Sequence, residues 1–150
     1  MNTILILDLD GVLITTPPWK SDEIHVDGYS DFNQTCVSNL NSLLDYKPFD
    51  IWLSSTRRTN KSLAEFNQIF QNRDIKGMIR GFVPEYNSTK NRKEEIIEFI
   101  TEFKLTDYLI LDDDKSLNSL NPKLKSKLVL TELTIGFNSK KLKEAIEKLK

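Results

Sequence analysis

The chain has 150 residues, of which 39% are hydrophobic and 29% are charged. That is enough for one compact domain with an apolar core and too short for two typical domains. Because 21 lysines and arginines nearly balance 22 aspartates and glutamates, no global field draws the protein to nucleic acid or to an anionic membrane. The single cysteine, Cys36, excludes an internal disulfide framework and predicts a reducing compartment.

Strands are predicted to alternate with amphipathic helices along the chain. The run from Ile4 to Leu9 is apolar apart from Asp8 and is typical of a strand buried in a parallel sheet. It is too short for a signal peptide or a membrane span, so we expect a cytoplasmic protein. Further strands are predicted over 50–54, 78–83, 108–111 and 128–130, and helical stripes over 32–43, 63–70, 96–103 and 142–149. Ser30 is the expected N-cap of the first helix.

This alternation predicts an α/β fold over residues 1–150, with a mostly parallel five-stranded sheet between two layers of helices. The one irregular segment, residues 15–30, is predicted to form a flap after the first strand. Trp19, His25 and Tyr29 in this flap could stack on a base, although such residues more often pack a loop onto its domain. His25 is the only histidine, which argues against a histidine-based nucleophile relay.

Carboxylates follow two of the predicted strands. Asp8 and Asp10 end the first, and Asp112 and Asp113 begin the acidic run after the fourth. A hairpin turn at Asp10-Gly11 would explain Asp10 and leave Asp8 without a role. Helix capping would explain only one residue of the run at 112–114, most naturally the third.

In open α/β sheets, ligands bind at the carboxyl ends of the strands, so these carboxylates are expected to converge. Like charges at such separations repel and require a cation. Since the expected ligands are all oxygen atoms, the sequence favours Mg²⁺.

Four segments resemble the four sequence motifs of one superfamily, and they follow one another in the same order. DLDGV at residues 8–12 resembles the first motif of the haloacid dehalogenase (HAD) superfamily, whose members are mostly phosphohydrolases. IWLSS at 51–55 resembles the second motif, Lys93 in RKEEI the third, and LILDDD at 109–114 the fourth. Within the superfamily, VPEYNSTKNRKEEI followed by YLILDDD is similar to the phosphatase domains of nucleic-acid end-repair proteins.

The resemblance implies roles for the acidic residues. Asp8 would attack phosphorus and form an aspartyl-phosphate, and Asp10 would move the protons. Asp8, the Asp10 carbonyl and Asp112 would hold Mg²⁺, with Asp113 bound directly or through water. Gly11 would let the chain turn away without crowding the phosphate.

The resemblance also implies a phosphate clamp. Ser54 and Lys93 would bind the phosphate oxygens. Ser55 and Lys90 are the alternatives: Ser54 is favoured because it directly ends the strand, and Lys93 because Glu-Glu-Ile follows it. Arg57 is a further candidate for substrate binding.

Arg57 and Arg58 are predicted to lie near the start of a helix, where cations oppose the macrodipole unless an anion is bound. They would then hold the phosphates that flank a nucleic-acid end. A solvated pair bridged to Asp50 or Glu65 is an equally good interpretation.

The expected molecule is a three-layer, Rossmann-like, HAD-like domain without a cap, since neither segment between the motifs has room for one. An open site admits large phosphorylated substrates. We therefore predict a Mg²⁺-dependent phosphatase that acts on polynucleotide ends or nucleotides. A small-metabolite phosphatase and a non-catalytic binding or regulatory domain are the alternatives, and neither a membrane nor a protein partner is predicted.

Overall fold

The computed structural model describes residues 2–150. Five strands and five α-helices follow one another in the chain: β1 Thr3–Leu7, α1 Gln34–Tyr46, β2 Phe49–Leu53, α2 Leu63–Asn72, β3 Ile79–Phe82, α3 Arg92–Glu102, β4 Tyr108–Asp112, α4 Pro122–Lys125, β5 Leu128–Leu130 and α5 Ser139–Leu149. Two 3-10 turns, Thr56–Thr59 and Lys115–Ser119, follow β2 and β4.

The five strands form one parallel sheet in the order β3-β2-β1-β4-β5. Strand β1 is central, and its Leu7 pairs with Leu53 of β2 and with Leu111 of β4. Because successive side chains of a strand point to opposite faces, Leu7 packs in one core and Ile6 in the other. The first core includes residues of α1, α2 and α5, and the second includes residues of α3. The predicted parallel sheet with helices on both faces is confirmed.

The predicted N-cap of the first helix is wrong. The N-cap of α1 is Asn33, whose side chain accepts a hydrogen bond from the Cys36 amide, and not Ser30. Helix α2 begins at Leu63, the first residue of its predicted stripe, after a capping box formed by Ser62 and Glu65. The segment after β2 is therefore a short 3-10 turn, and the expectation of two arginines at a helix start does not hold.

No helix within residues 2–150 is both long enough and apolar enough to cross a bilayer. Cys36 is buried against the Ile135 carbonyl, and burial raises the pKa of its thiol. A buried thiol in this setting acts as a small apolar side chain.

Candidate active site

Three carboxylates meet at the carboxyl end of the two central strands. Asp8 directly follows β1, and its amide donates to the Leu111 carbonyl of β4, which brings it beside Asp112. One ligand oxygen from each of Asp8, Asp112 and Asp113 lies within 4.8 Å of the others. Asp8 and Asp112 are buried, whereas Asp113 is half-buried. We call these three residues the acidic cluster.

Burial, followed by the neighbouring charge of Asp112, raises the pKa of Asp8 well above its usual range. The same two causes raise the pKa of Asp113. The counter-charge is Arg92, whose Nη1 lies 2.6 Å from Asp112 Oδ2 and 3.5 Å from Asp8 Oδ2. One guanidinium against three carboxylates leaves an excess of negative charge, which a further cation would neutralise.

The acidic cluster fits a magnesium ion. Mg²⁺ binds oxygen at about 2.0–2.1 Å in an octahedral arrangement, so opposite ligands lie about 4.2 Å apart. Three carboxylate oxygens within 4.8 Å of one another match that spacing after small side-chain movements. The Asp10 side chain is not part of this group, and the Asp10 carbonyl as a metal ligand stays a prediction.

Gly11 makes room for the acidic cluster. Its φ is +77°, in the left-handed region that favours glycine, and a Cβ built there would overlap the Asp113 carboxylate. Its carbonyl accepts a hydrogen bond of 2.6 Å from the buried Thr131 hydroxyl. In this structure Gly11 thus gives space to Asp113, in addition to the space for a phosphate that the sequence predicts.

The two serines after β2 differ in their hydrogen bonding. Ser54 Oγ is buried and has no hydrogen-bond partner among residues 2–150. Ser55 Oγ instead accepts from the Arg57 amide and caps the 3-10 turn. A buried hydroxyl without a partner is costly, so Ser54, and not Ser55, has a hydroxyl group left to donate.

The cation at the acidic cluster is neither of the two candidate lysines. Helix α3 begins at Arg92, behind the Asn91 N-cap, and this start directs the Arg92 guanidinium to Asp112. Lys93 donates its amide to Ser116 Oγ, and Lys90 donates its amide to Glu94. Sequence reasoning missed Arg92, although it directly precedes Lys93.

Asp10 is held by Arg57. The Arg57 Nε and Nη2 atoms lie 2.8 and 2.9 Å from the two carboxylate oxygens of Asp10. The remaining N–H groups face the flap: Nη2 donates to Asp22 at 2.9 Å, and Nη1 to Ser30 at 3.2 Å and Tyr29 at 3.4 Å. A guanidinium has five N–H donors, and all five have acceptors here.

Arg58 is a structural residue. Its side chain is 4% exposed and donates to the Val83 carbonyl at 2.7 Å and to the Ser54 and Ser55 carbonyls at 2.9 and 3.0 Å. Its Nη2 lies 3.1 Å from Glu95 Oε2, an ion pair without the angles of a hydrogen bond. Arg58 has no exposed group to offer a flanking phosphate.

The alternative partners proposed for the two arginines are also wrong. Asp50 pairs with Arg80 at 3.4 Å, and Glu65 accepts a hydrogen bond from the Ser62 amide in the capping box of α2. Arg57 and Arg58 instead turn inward to the groups described above.

The flap, residues 15–30, is anchored at a second point by Asp27. Both Asp27 oxygens pair with Arg73 at the end of α2, at 2.6 and 3.1 Å. Tyr29 packs edge-on against Phe66, so it anchors the flap. Trp19 is 83% exposed and remains available for stacking.

A parallel α/β sheet with three aspartates at the carboxyl ends of its strands is the arrangement that a HAD-type domain requires. Residues 4–142 match the family described as the HAD domain in Swiss Army Knife RNA repair proteins. Since the match covers nearly the whole sequence, the chain belongs to this family. A comparison with curated proteins gives no match.

Proposed function

We propose that this domain is a Mg²⁺-dependent phosphohydrolase that removes a terminal phosphate from RNA ends through an aspartyl-phosphate on Asp8. Membership of a HAD family in RNA repair proteins supports hydrolase chemistry on RNA. The observation that carries the proposal is the acidic cluster itself, in which Asp8 ends the central strand within 4.8 Å of Asp112 and Asp113.

Asp8 is the proposed nucleophile. One of its oxygens forms a bond to phosphorus while the bond from phosphorus to the leaving oxygen breaks, and Asp10 gives its proton to that oxygen. Asp10 then takes a proton from water, the water oxygen bonds to phosphorus, and the bond to Asp8 breaks. Inorganic phosphate leaves, and both aspartates return to their starting states.

Asp8, Asp112 and Asp113 would hold Mg²⁺ with the Asp10 carbonyl, and the ion would supply the positive charge that lets an anionic phosphate approach. The Ser54 hydroxyl, buried and without a partner, would donate to a phosphate oxygen. Lys93 or Lys90 would add charge to that clamp. Whichever lysine contributes, Arg92 keeps the Asp8 and Asp112 carboxylates oriented.

Asp10 is oriented by Arg57 for the exchange of its proton. Each of its oxygens accepts one hydrogen bond from Arg57 and keeps a further lone pair for a proton. We infer that Arg57 holds the Asp10 carboxylate in place while the remaining lone pair faces the leaving group and then the water. Arg57 can contact a substrate phosphate only by giving up one of its present acceptors, since its five donors are already used.

The test is hydrolysis of a panel in Mg²⁺: p-nitrophenyl phosphate, nucleotides, and oligoribonucleotides phosphorylated at the 3′ or the 5′ end. We expect release of phosphate from at least one RNA end, its loss in EDTA and its return with Mg²⁺. Asp8→Asn should abolish turnover, whereas Asp10→Asn should slow it by about two to four orders of magnitude. Asp45→Asn, at an exposed carboxylate of α1 that pairs with Lys76, is the matched control.

Hydrolysis of every active substrate by Asp8→Asn at the wild-type rate would refute the mechanism. Full activity in excess chelator would refute the metal. Activity on nucleotides but on no oligonucleotide would reject the RNA substrate and favour a small-metabolite phosphatase, and no activity at all would favour a binding domain.

A further inference from the structure

A polar cleft opens beside the acidic cluster. Its volume is about 370 Å³, and it is lined by Thr56, Glu85, Tyr86, Asn87, Thr89, Lys90, Asn91, Arg92, Glu95 and Asp114. Three cavities around the flap have volumes of only about 150, 220 and 240 Å³. The cleft is therefore larger than each of these three cavities, and its volume falls in the range of small-molecule sites.

The sheet order places this cleft beside the nucleophile. Thr56 lies two residues beyond the serine that follows β2, and Asp114 lies two residues beyond the end of β4. Since β1 lies between β2 and β4, the end of β1 lies between the strands that lead to Thr56 and Asp114. Asp8 is not itself in the lining, so the cleft is a neighbour of the acidic cluster. Arg92 belongs both to the lining and to the ion pairs of the acidic cluster.

Lys90 is the cation of the lining that is left for an anionic ligand. The lining carries two cations, Lys90 and Arg92, and three carboxylates, Glu85, Glu95 and Asp114. Arg92 is already paired with carboxylates of the acidic cluster and with Glu95. None of the ion pairs among residues 2–150 involves Lys90, so a ligand phosphate would be met at this side chain and not by the charge of the lining as a whole.

The loop that carries Lys90 is held in place. Tyr86 donates its hydroxyl to Glu102 at 2.8 Å, and its carbonyl accepts from the Thr89 hydroxyl at 2.8 Å. The Asn91 side chain caps α3 by accepting from the Glu94 amide. These contacts leave Asn87 as an exposed amide at the cleft, with donors and an acceptor for a sugar or a base.

We propose that this cleft is the subsite for the terminal nucleotide of the RNA, with Lys90 against the phosphodiester that joins it to the next nucleotide. This inference rests on the proposed function, because the terminal phosphate must lie at Asp8. It assigns Lys90 to the second phosphate from the end, and therefore not to the clamp on the phosphate that is removed.

The experiment compares three substrates of increasing length: p-nitrophenyl phosphate, a nucleoside monophosphate, and the dinucleotide that carries the same terminal nucleotide and phosphate. In the wild type we expect KM to fall about fivefold from the mononucleotide to the dinucleotide, the scale of a partly exposed ion pair. Lys90→Ala should abolish that gain and should lose at least five times more on the dinucleotide than on p-nitrophenyl phosphate. Lys140→Ala, at an exposed lysine of α5, is the matched control.

A second measurement does not require turnover. Asp8→Asn protein, with and without Lys90→Ala, is titrated into a fluorescent hexaribonucleotide phosphorylated at one end, and anisotropy gives Kd. We expect Lys90→Ala to raise Kd about fivefold and to reduce its dependence on salt, because one phosphate contact is lost.

In the hydrolysis assay, Asn87→Ala should raise KM for the mononucleotide and for the dinucleotide by the same factor.

Two outcomes would overturn the subsite. One is an equal loss on p-nitrophenyl phosphate and the dinucleotide, which would place Lys90 in the phosphate clamp. The other is an unchanged Kd for the hexaribonucleotide in Lys90→Ala. If no substrate is hydrolysed, the proposed function fails, and the Kd comparison still decides whether the cleft binds RNA.

Discussion

Arg58 and Arg57 are neighbours with different environments, and replacing each by methionine should separate stability from activity. Arg58→Met keeps most of the side-chain volume and removes the donors to the Val83, Ser54 and Ser55 carbonyls. It also leaves the Glu95 carboxylate without its closest cation. Breaking a buried pair by removing one partner costs about 3–5 kcal/mol.

For a protein of this size, the entropy of unfolding near the midpoint is about 0.3 kcal/mol/K. A loss of about 4 kcal/mol therefore lowers Tm by about 13 °C. Arg57→Met removes two partly exposed ion pairs, to Asp10 and Asp22, and hydrogen bonds to Ser30 and Tyr29. At about 1 kcal/mol or less for each ion pair, we expect a loss of about 2 kcal/mol at most. Its Tm should fall by about 6 °C at most.

Thermal melts followed by circular dichroism, with urea unfolding as a check on two-state behaviour, measure both variants. The same preparations are assayed for hydrolysis at 15 °C, where both remain folded. Arg57→Met should lose turnover and Arg58→Met should retain most of it. A Tm of Arg58→Met within 3 °C of wild type would show that these four contacts do not stabilise the protein.

Three further predictions concern the acidic cluster and the flap. Asp113→Asn should raise the Tm of the metal-free protein at pH 7, because the pKa of Asp113 is raised in the folded state and its ionised form opposes folding; an unchanged or lower Tm would contradict this. Asp22→Asn should speed amide exchange over residues 20–24, which mass spectrometry measures, whereas Glu23→Gln should not; equal rates in both would remove the link to Arg57. Gly11→Ala should lower Tm and raise the Mg²⁺ concentration that turnover needs, because its Cβ displaces Asp113; a wild-type Mg²⁺ requirement would refute that cause.

The fold and the acidic cluster could be predicted because each depends on local patterns and on one rule of sheet geometry. Apolar runs bounded by helical stripes predict parallel strands, and parallel strands bring their carboxyl ends to one edge. Asp8 and Asp112 therefore had to meet. The helix-capping interpretation of the acidic run also held for one residue, Asp114, which caps the following 3-10 turn.

The arginines could not be predicted, because their contacts depend on where a turn begins. The start of α3 at Arg92 directs that side chain to Asp112. A 3-10 turn after β2, which precedes the expected helix and was not predicted, sends Arg57 to Asp10 and its neighbour Arg58 into the core. No periodicity in the sequence records where either segment begins.

Because β1 lies at the centre of the sheet, the segment that ends at Asp8 opens far more slowly than the flap does. A central strand, hydrogen-bonded on both sides, exchanges its amide hydrogens only through opening of nearly the whole domain, whereas loops held by side-chain contacts open locally at much lower free energy. The flap is held mainly by Asp22 and Asp27. The flap can therefore open and close many times while Asp8, directly after β1, keeps its position, without any unfolding of that strand.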